Sequence, residues 1–384
     1  MPVDCYTAGM NGTFVLLPLV LLAIPVTGQE PSAGEREGLA PSMKEPSAGI
    51  APGFSMIVYT DEVPNARQMA ETESGILFVG TRRAGRLYAV VPNADGQPEV
   101  VTFATGLTMP SGLALLGDDL YVAALDRVLR YPDIETRFRQ SPEPEIVTDA
   151  LPDKYHHGWK YLSVGRDGFL YVPVGAPCNI CKSADERFAS ILRMNPRTGE
   201  TTVYAHGVRN SVGMAWHPET DELWFTDNGR DLMGDDIPPE EVNRVTEAGA
   251  HYGYPHIHGR GIRDPEYGKD HDPADYVAPV VEIQAHAAAI GMDFYAHDQF
   301  GPDYANALFI AEHGSWDRSS KVGYRVSVVR FVDHEPAYSP FVDVWLKGEE
   351  ASGRPADVLA ARDGTLLISD DQGGRIYRVT RAAE

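Results

Sequence analysis

The sequence predicts an all-β protein, a six-bladed β-propeller with four-stranded antiparallel blades. Three observations lead there. A polar turn ending in Gly or Asp, followed by a short apolar strand, recurs six times along the chain. The copies start roughly 40 to 60 residues apart, with one longer gap of about 85, which is the spacing of four-stranded blades carrying insertions. Gly (37) and Pro (29) are plentiful, as expected of a chain that turns roughly every ten residues.

The copies read SGILFVG (74–80), GDDLYVAA (117–124), RDGFLYVPVG (166–175), TDELWFTDNG (220–229), NALFIAEHG (306–314) and RDGTLLISDD (362–371). Several have an apolar strand just upstream, such as GLALL (112–116) and VGMAW (212–216). Before the first copy, residues 14–26 form an apolar run too short to span a bilayer comfortably but suited to a signal-peptide core. Residues 1–13 contain no Lys or Arg and do contain Asp4. Residues 1–28 are therefore expected to be a signal peptide or N-terminal anchor. Residues 29–50, rich in Pro, Ser, Gly and Glu with PSAG twice, read as a disordered linker. The propeller is expected over 51–384. Export follows, to the periplasm or beyond the cell, with no stable membrane insertion after processing.

A formal charge of −22 argues against nucleic acid and anionic membrane surfaces as partners. It is compatible with secretion, cation binding or solubility alone. Cys5 lies in the presumptive signal, leaving Cys178 and Cys181 in APCNICKS. These form a local disulfide or stay as two thiols in a tight loop. A zinc ribbon needs a second pair, and covalent haem needs His where Lys182 stands.

Five loops hold unusual residues: 154–162 with His156 and His157, 207–213 with Arg209 and Asn210, 226–255 with an acidic stretch at 234–241, 312–324 with Lys321, and 353–358 with Arg354. Each alone has a bland explanation as a turn, a cap or a solvated surface. Together they are more informative, because a propeller gathers loops of different blades at one mouth. Three converging cations (Arg209, Lys321, Arg354) imply a multiply anionic small ligand, since burying them unpaired is costly. The candidate base His157 implies a deprotonation beside that ligand. The acidic stretch suits calcium, although it lacks EF-hand spacing.

In this order the loops resemble the soluble quinoprotein sugar dehydrogenases, the glucose/sorbosone dehydrogenase family. GVRNSVGMAWHP, EEVNRVTEAGAHYGYP, HHGWKYLSV, EHGSWDRS and GRPADVLAARDGTLLISDDQGGRIYRV carry the resemblance, which covers roughly 52–380 and looks closer to the sorbosone dehydrogenase-like branch. It implies a six-bladed propeller that uses pyrroloquinoline quinone (PQQ), a tricarboxylate, together with Ca²⁺. It further implies His157 as the general base, with Arg209, Asn210, Lys321 and Arg354 contacting PQQ. Gly229 and Arg230 would hold the cofactor calcium through their carbonyls. Glu241 and Tyr252 would hold a second, structural calcium, Tyr252 through its carbonyl. The expected substrate is an aldose, sorbosone or related sugar, and the expected electron acceptor a cytochrome or quinone. The chain departs from the family at Met109–Leu113, which lacks an amide present in the glucose enzymes, and at His156, which stands where an acidic residue is common. These departures fall on substrate or cofactor contacts, so specificity for glucose is not expected.

Other readings compete. A non-catalytic NHL-like propeller would bind a protein or glycan. A calcium-dependent propeller hydrolase would need carboxylate and Asn ligands that cannot be assigned from the sequence. Zinc on His251, His256 and His258 would rest on an undiagnostic spacing.

Overall fold

A computed structural model describes residues 49–382, apart from Asp95 and His334. The expected signal peptide and all but the end of the expected linker lie outside the described residues.

Six antiparallel sheets follow one another along the chain. The first strand, second strand and third strand of each blade are consecutive in sequence. The second strands are Leu77–Thr81, Asp119–Ala123, Leu170–Val174, Leu223–Asp227, Ala307–Glu312 and Leu366–Asp370. They are the six repeats seen in the sequence, and the polar turn of each repeat is the hairpin joining it to a first strand. Their continuous apolar character has a physical cause. Blades pack face to face, so a second strand is covered on both sides; Leu77–Thr81, Leu170–Val174 and Leu223–Asp227 are buried at every position.

The core is divided the same way. Six apolar clusters each span one blade–blade interface, from Phe78 and Phe103 of blade 1 against Leu120 and Tyr131 of blade 2, round to Leu367 and Ile376 of blade 6 against Leu77 and Val79 of blade 1. Phe78 faces blade 2 while its neighbours Leu77 and Val79 face blade 6, as the two-residue period of a strand requires. Six interfaces for six blades means a closed ring.

The ring closes in an unexpected way. Blade 6 comprises Pro355–Ala360, Leu366–Asp370 and Arg375–Arg381, and its outer strand is Phe54–Thr60 from the start of the described chain, with Phe54 opposite Arg381 and Met56 opposite Val379. Gly49–Ile50, at the end of the stretch expected to be linker, pairs with Val342 and Asp343 as a fifth strand on blade 5. The longer gap between the fourth and fifth repeats is an insertion in blade 4. Between Glu240–Arg244 and the outer strand Val281–Ile283, it carries the small hairpin Ile257–His258 with Ile262–Arg263. Among the described residues no helix is long and apolar enough to cross a membrane.

Polar side chains cross the axis. Gln68, in the first strand of blade 1, donates to the carbonyl of Leu162 at 2.7 Å and accepts from the amides of Leu113 and Leu162. Asp357, in the first strand of blade 6, accepts from the amide of Met69 at 2.9 Å and from the Tyr161 hydroxyl at 3.1 Å. Tyr161 leads into blade 3, on the opposite side of the ring, so the Tyr161–Asp357 bond spans it. These bonds tie blades 1, 3 and 6 together across the middle of the ring.

Candidate active site

First and second strands of a blade run antiparallel, so the loop before a first strand and the loop after a second strand lie at the same end of the blade. Apart from residues 240–255, which are the third strand of blade 4 and the start of its insertion, the loops singled out in the sequence are of these two kinds. His157 precedes the first strand of blade 3, Arg209 and Asn210 that of blade 4, and Arg354 that of blade 6; Gly229 follows the second strand of blade 4, and Lys321 that of blade 5. One face of the ring therefore carries them all. A cleft of about 740 Å³ at the other end of blades 2 and 3, lined by Asp119, Arg130, Glu145 and Asp167, contains none of them.

His157 is half-buried and adopts a left-handed backbone conformation, φ 51°, which is strained for a residue with a side chain. Its Nδ1 lies 2.9 Å from the carbonyl oxygen of Ala176. A carbonyl only accepts, so Nδ1 carries the proton and the neutral ring keeps its lone pair on Nε2. Burial, then the charge of Arg209, holds its pKa well below the ordinary imidazole value. His156 is exposed, its ring 4.1 Å from that of His157.

Gly175 brings His157 and Asn210 together. A Cβ at Gly175 would stand 2.5 Å from the His157 Cβ and 3.0 Å from Asn210 Oδ1. Asn210 Oδ1 is buried and has no hydrogen-bond partner. The backbone amides of Arg209 and Asn210 both donate to Asp227, at 2.8 and 2.6 Å. The Arg209 guanidinium is held on three sides. Nε donates to the Asn179 carbonyl at 2.9 Å, Nη2 to Asn179 Oδ1 at 2.8 Å, and Nη1 to the Asn228 carbonyl at 2.9 Å. Asn179 sits inside the Cys178–Cys181 loop, which is closed by a disulfide. The open choice between disulfide and free thiols is thereby resolved, and the loop has a task that its cysteines alone did not suggest. Tyr254 anchors it, its hydroxyl accepting from the Cys181 amide at 3.0 Å.

The other cations are placed differently. Arg354 donates through Nε to the His313 carbonyl at 2.9 Å and through Nη2 to the Gly314 carbonyl at 2.6 Å, and lies over the Tyr324 ring. Lys321 is exposed, and its ammonium donates to the Glu349 carbonyl at 2.6 Å. The charges beside Arg354 come instead from Arg67 and Arg82 of blade 1, which the sequence did not mark.

Gly229, Glu241 and Tyr252 line one small cavity with Asp227 and Arg209. Its volume, about 10 Å³, is near that of a single water or ion. Burial raises the pKa of both buried carboxyls, and the Asp227 charge adds to the rise at Glu241. Asn243 donates to Glu241 Oε2 at 2.9 Å and leaves its own Oδ1 buried without a partner. Two crowded carboxylates with further oxygens are the donor set of a hard divalent cation. The Arg230 side chain points elsewhere, to Asp264 at 2.6 Å. A second group, Asp231, His286 and Asp317, brings its ligand atoms within 4.8 Å of one another. The histidines of the blade 4 insertion have separate partners, His258 on Asp264 and His256 on the Tyr267 carbonyl.

One face of the six-bladed ring thus gathers a neutral imidazole, a clamped arginine and a small oxygen-lined cavity. The family described as Glucose / Sorbosone dehydrogenase matches residues 132–378, and the chain belongs to it. It is 30% identical to an uncharacterized protein of Borreliella burgdorferi, over 96% of this chain and 97% of the other. It is 27% identical to the aldose sugar dehydrogenase YliI of Escherichia coli, over 48% of this chain and 50% of that one. Among solved structures, the holo form of the pyranose dehydrogenase PQQ domain from Coprinopsis cinerea superposes with a TM-score of 0.71 at 17% identity, over 88% of this chain and 98% of that one. At that identity the likeness concerns the fold.

Proposed function

We propose that the protein is a PQQ- and calcium-dependent dehydrogenase that oxidises an aldose, sorbosone or a related sugar, with His157 as general base. The observation that carries this is the pairing, across Gly175, of an imidazole whose Nε2 lone pair is free with the unpartnered Asn210 Oδ1. The holo PQQ domain of like fold supports the choice of cofactor.

The residues on this face suit such a group. Arg209 and Asn210 would hold its quinone and carboxylate oxygens, with Arg354 and Lys321 as further cationic contacts. Lys321 would have to leave the Glu349 carbonyl to do so. Gly229 and Arg230 would hold the cofactor calcium by their carbonyls, and Glu241 and Tyr252 the structural one; the cavity shared by Gly229, Glu241 and Tyr252 has room for one of these two ions. Bound PQQ would supply the two-electron acceptor for the hydride of the sugar. His157 takes the hydroxyl proton at Nε2. The Ala176 carbonyl keeps the ring in the tautomer that can accept it, and the charge of Arg209 keeps that ring neutral until the proton arrives. Electrons would leave to a cytochrome or quinone, and the site of action would be periplasmic or extracellular.

Purified protein supplied with PQQ and Ca²⁺ is expected to show dye-linked sugar oxidation. His157→Ala is expected to lower kcat by at least about 10²-fold with an unchanged thermal midpoint. Normal turnover by that variant would refute the base assignment.

A further inference from the structure

At the junction of blades 6 and 1, on the face that carries His157, positive charge accumulates without matching negative charge. Arg67 lies in the first strand of blade 1, Arg82 just after its second strand, and Arg354 just before the first strand of blade 6. Among the described residues, Asp371 is the one carboxylate within ion-pair distance of any of the three, with its Oδ2 3.4 Å from Arg67 Nε and 3.7 Å from Arg82 Nη1. Its Oδ1 is taken by His313 Nε2 at 2.9 Å. Asp370 next to it accepts from the backbone amides of Arg354, Gln372 and Gly373 instead. His313 adds no charge at neutral pH, because burial lowers its pKa to about 4. Asp371, its Oδ2 otherwise unpartnered, therefore faces two guanidinium groups, while the charge of Arg354 acts on both of these and that of Asp357 acts on Arg67.

The hydrogen-bond inventory points the same way. Arg67 is buried, 4% exposed, yet its Nε and Nη1 have no hydrogen-bond partner. A small shift would let Nε reach Asp371; Nη1 would remain free. Arg82 Nε and the indole Nε1 of Trp159 are also buried and unpartnered. The Arg82 guanidinium stacks 4.0 Å from the Trp159 ring centre and that of Arg67 lies 5.4 Å from it. Stacking fixes the plane of a guanidinium and leaves its N–H edge open for a planar, bidentate acceptor. The Arg82 side chain is 23% exposed, so the cluster can be approached from solvent. Trp159 belongs to the loop of His157, two residues on, which ties the cluster to the base.

We propose that Arg67, Arg82 and Trp159 form a carboxylate-binding subsite beside the base, so that the ligand bound on this face presents a carboxylate to blade 1. This rests on the dehydrogenase reading for the source of that carboxylate, which is either the quinone cofactor or an acidic sugar substrate. A neutral sugar hydroxyl would satisfy one donor and leave the excess charge buried.

The test compares the full-length wild type, R82Q and R82K, with R67Q as a second site, and thermal midpoints to confirm folding. Each is titrated with PQQ by absorbance, and the loaded enzymes are assayed with D-glucose and D-glucuronate. If the carboxylate belongs to the cofactor, R82Q raises the Kd for PQQ by about tenfold or more and R82K recovers part of it. If it belongs to the substrate, the Kd for PQQ holds and the KM for glucuronate rises by about tenfold or more while that for glucose does not. Changes below about twofold in both quantities for folded R82Q and R67Q would overturn the subsite. Should the wild type bind no PQQ, the dehydrogenase reading fails. The subsite is then decided by calorimetry of glucuronate against glucose on the unloaded protein: glucuronate binding lost in R82Q sustains it, and equal binding of both sugars by wild type and R82Q overturns it.

Discussion

His157 is defined by the groups around its ring. The Ala176 carbonyl dictates the tautomer, and burial with the charge of Arg209 keeps the imidazole neutral. A pH dependence follows from the proposed role, because a base works only when unprotonated and is unprotonated above its pKa. In the free enzyme that pKa lies well below the ordinary value, so kcat/KM should be flat through neutrality and fall only on acidification to well under pH 6.5. An acid limb at or above pH 6.5 would show that some other group is being titrated. Gly175 is the complementary test. Gly175→Ala places a methyl 2.5 Å from the His157 Cβ, and the overpacking is expected to cost about 1–3 kcal/mol of stability and to displace the base. An active variant of wild-type stability, measured by denaturant titration and dye-linked assay, would mean that the two loops are not in contact.

The disulfide loop is the element whose role reaches furthest from its composition. Cys178 and Cys181 close a turn, and Asn179 within it receives the Arg209 guanidinium through both its carbonyl and its side chain. Replacing both cysteines by serine should loosen this clamp while leaving the blades intact. PQQ affinity is expected to fall by about tenfold with little change in thermal midpoint, and an unaltered affinity would show that Arg209 needs no such support. Elements also show what the sequence made legible. The six second strands were visible because two-sided burial makes them continuous apolar runs; the first strand of blade 3 is only Ser163–Val164 and does not stand out. His157, Arg209, Asn210 and Arg354 were legible because they occur in loops of recognisable order. Arg67 and Arg82 were not. Arg67 stands within an otherwise ordinary buried strand, ARQMAE, and only the fold brings it beside Asp371 and Arg354. The lysine was found as a residue, but a loop sequence does not say which carbonyl an ammonium will reach.

For the whole molecule, closure is the property on which the site depends. The outer strand of blade 6 comes from residues 54–60 and pairs with residues more than three hundred positions away, a contact that no local pattern reports. That strand also packs against two of the six interfacial cores, Phe54 and Met56 against the one between blades 5 and 6 and Tyr59 against the one between blades 6 and 1. Deleting residues through Thr60 should expose the third strand of blade 6 and lower the thermal midpoint sharply, with loss of PQQ binding. A truncated protein that melts like the full chain would mean that the ring is held shut by other contacts. Metal should matter at the same scale. The proposed cation in the cavity between Asp227 and Glu241 would bind only the folded ring, so chelation is expected to lower the midpoint and calcium to restore it.

The most direct measurement is a titration of the full-length protein with PQQ, followed by absorbance, with and without Ca²⁺, in wild type and His157→Ala. Saturable, calcium-dependent binding by both proteins, with sugar-driven reduction of a dye in the wild type alone, is the expected result. No saturable binding, or equal dye reduction by the two, would contradict the view that this face of the ring holds a redox cofactor beside a histidine base.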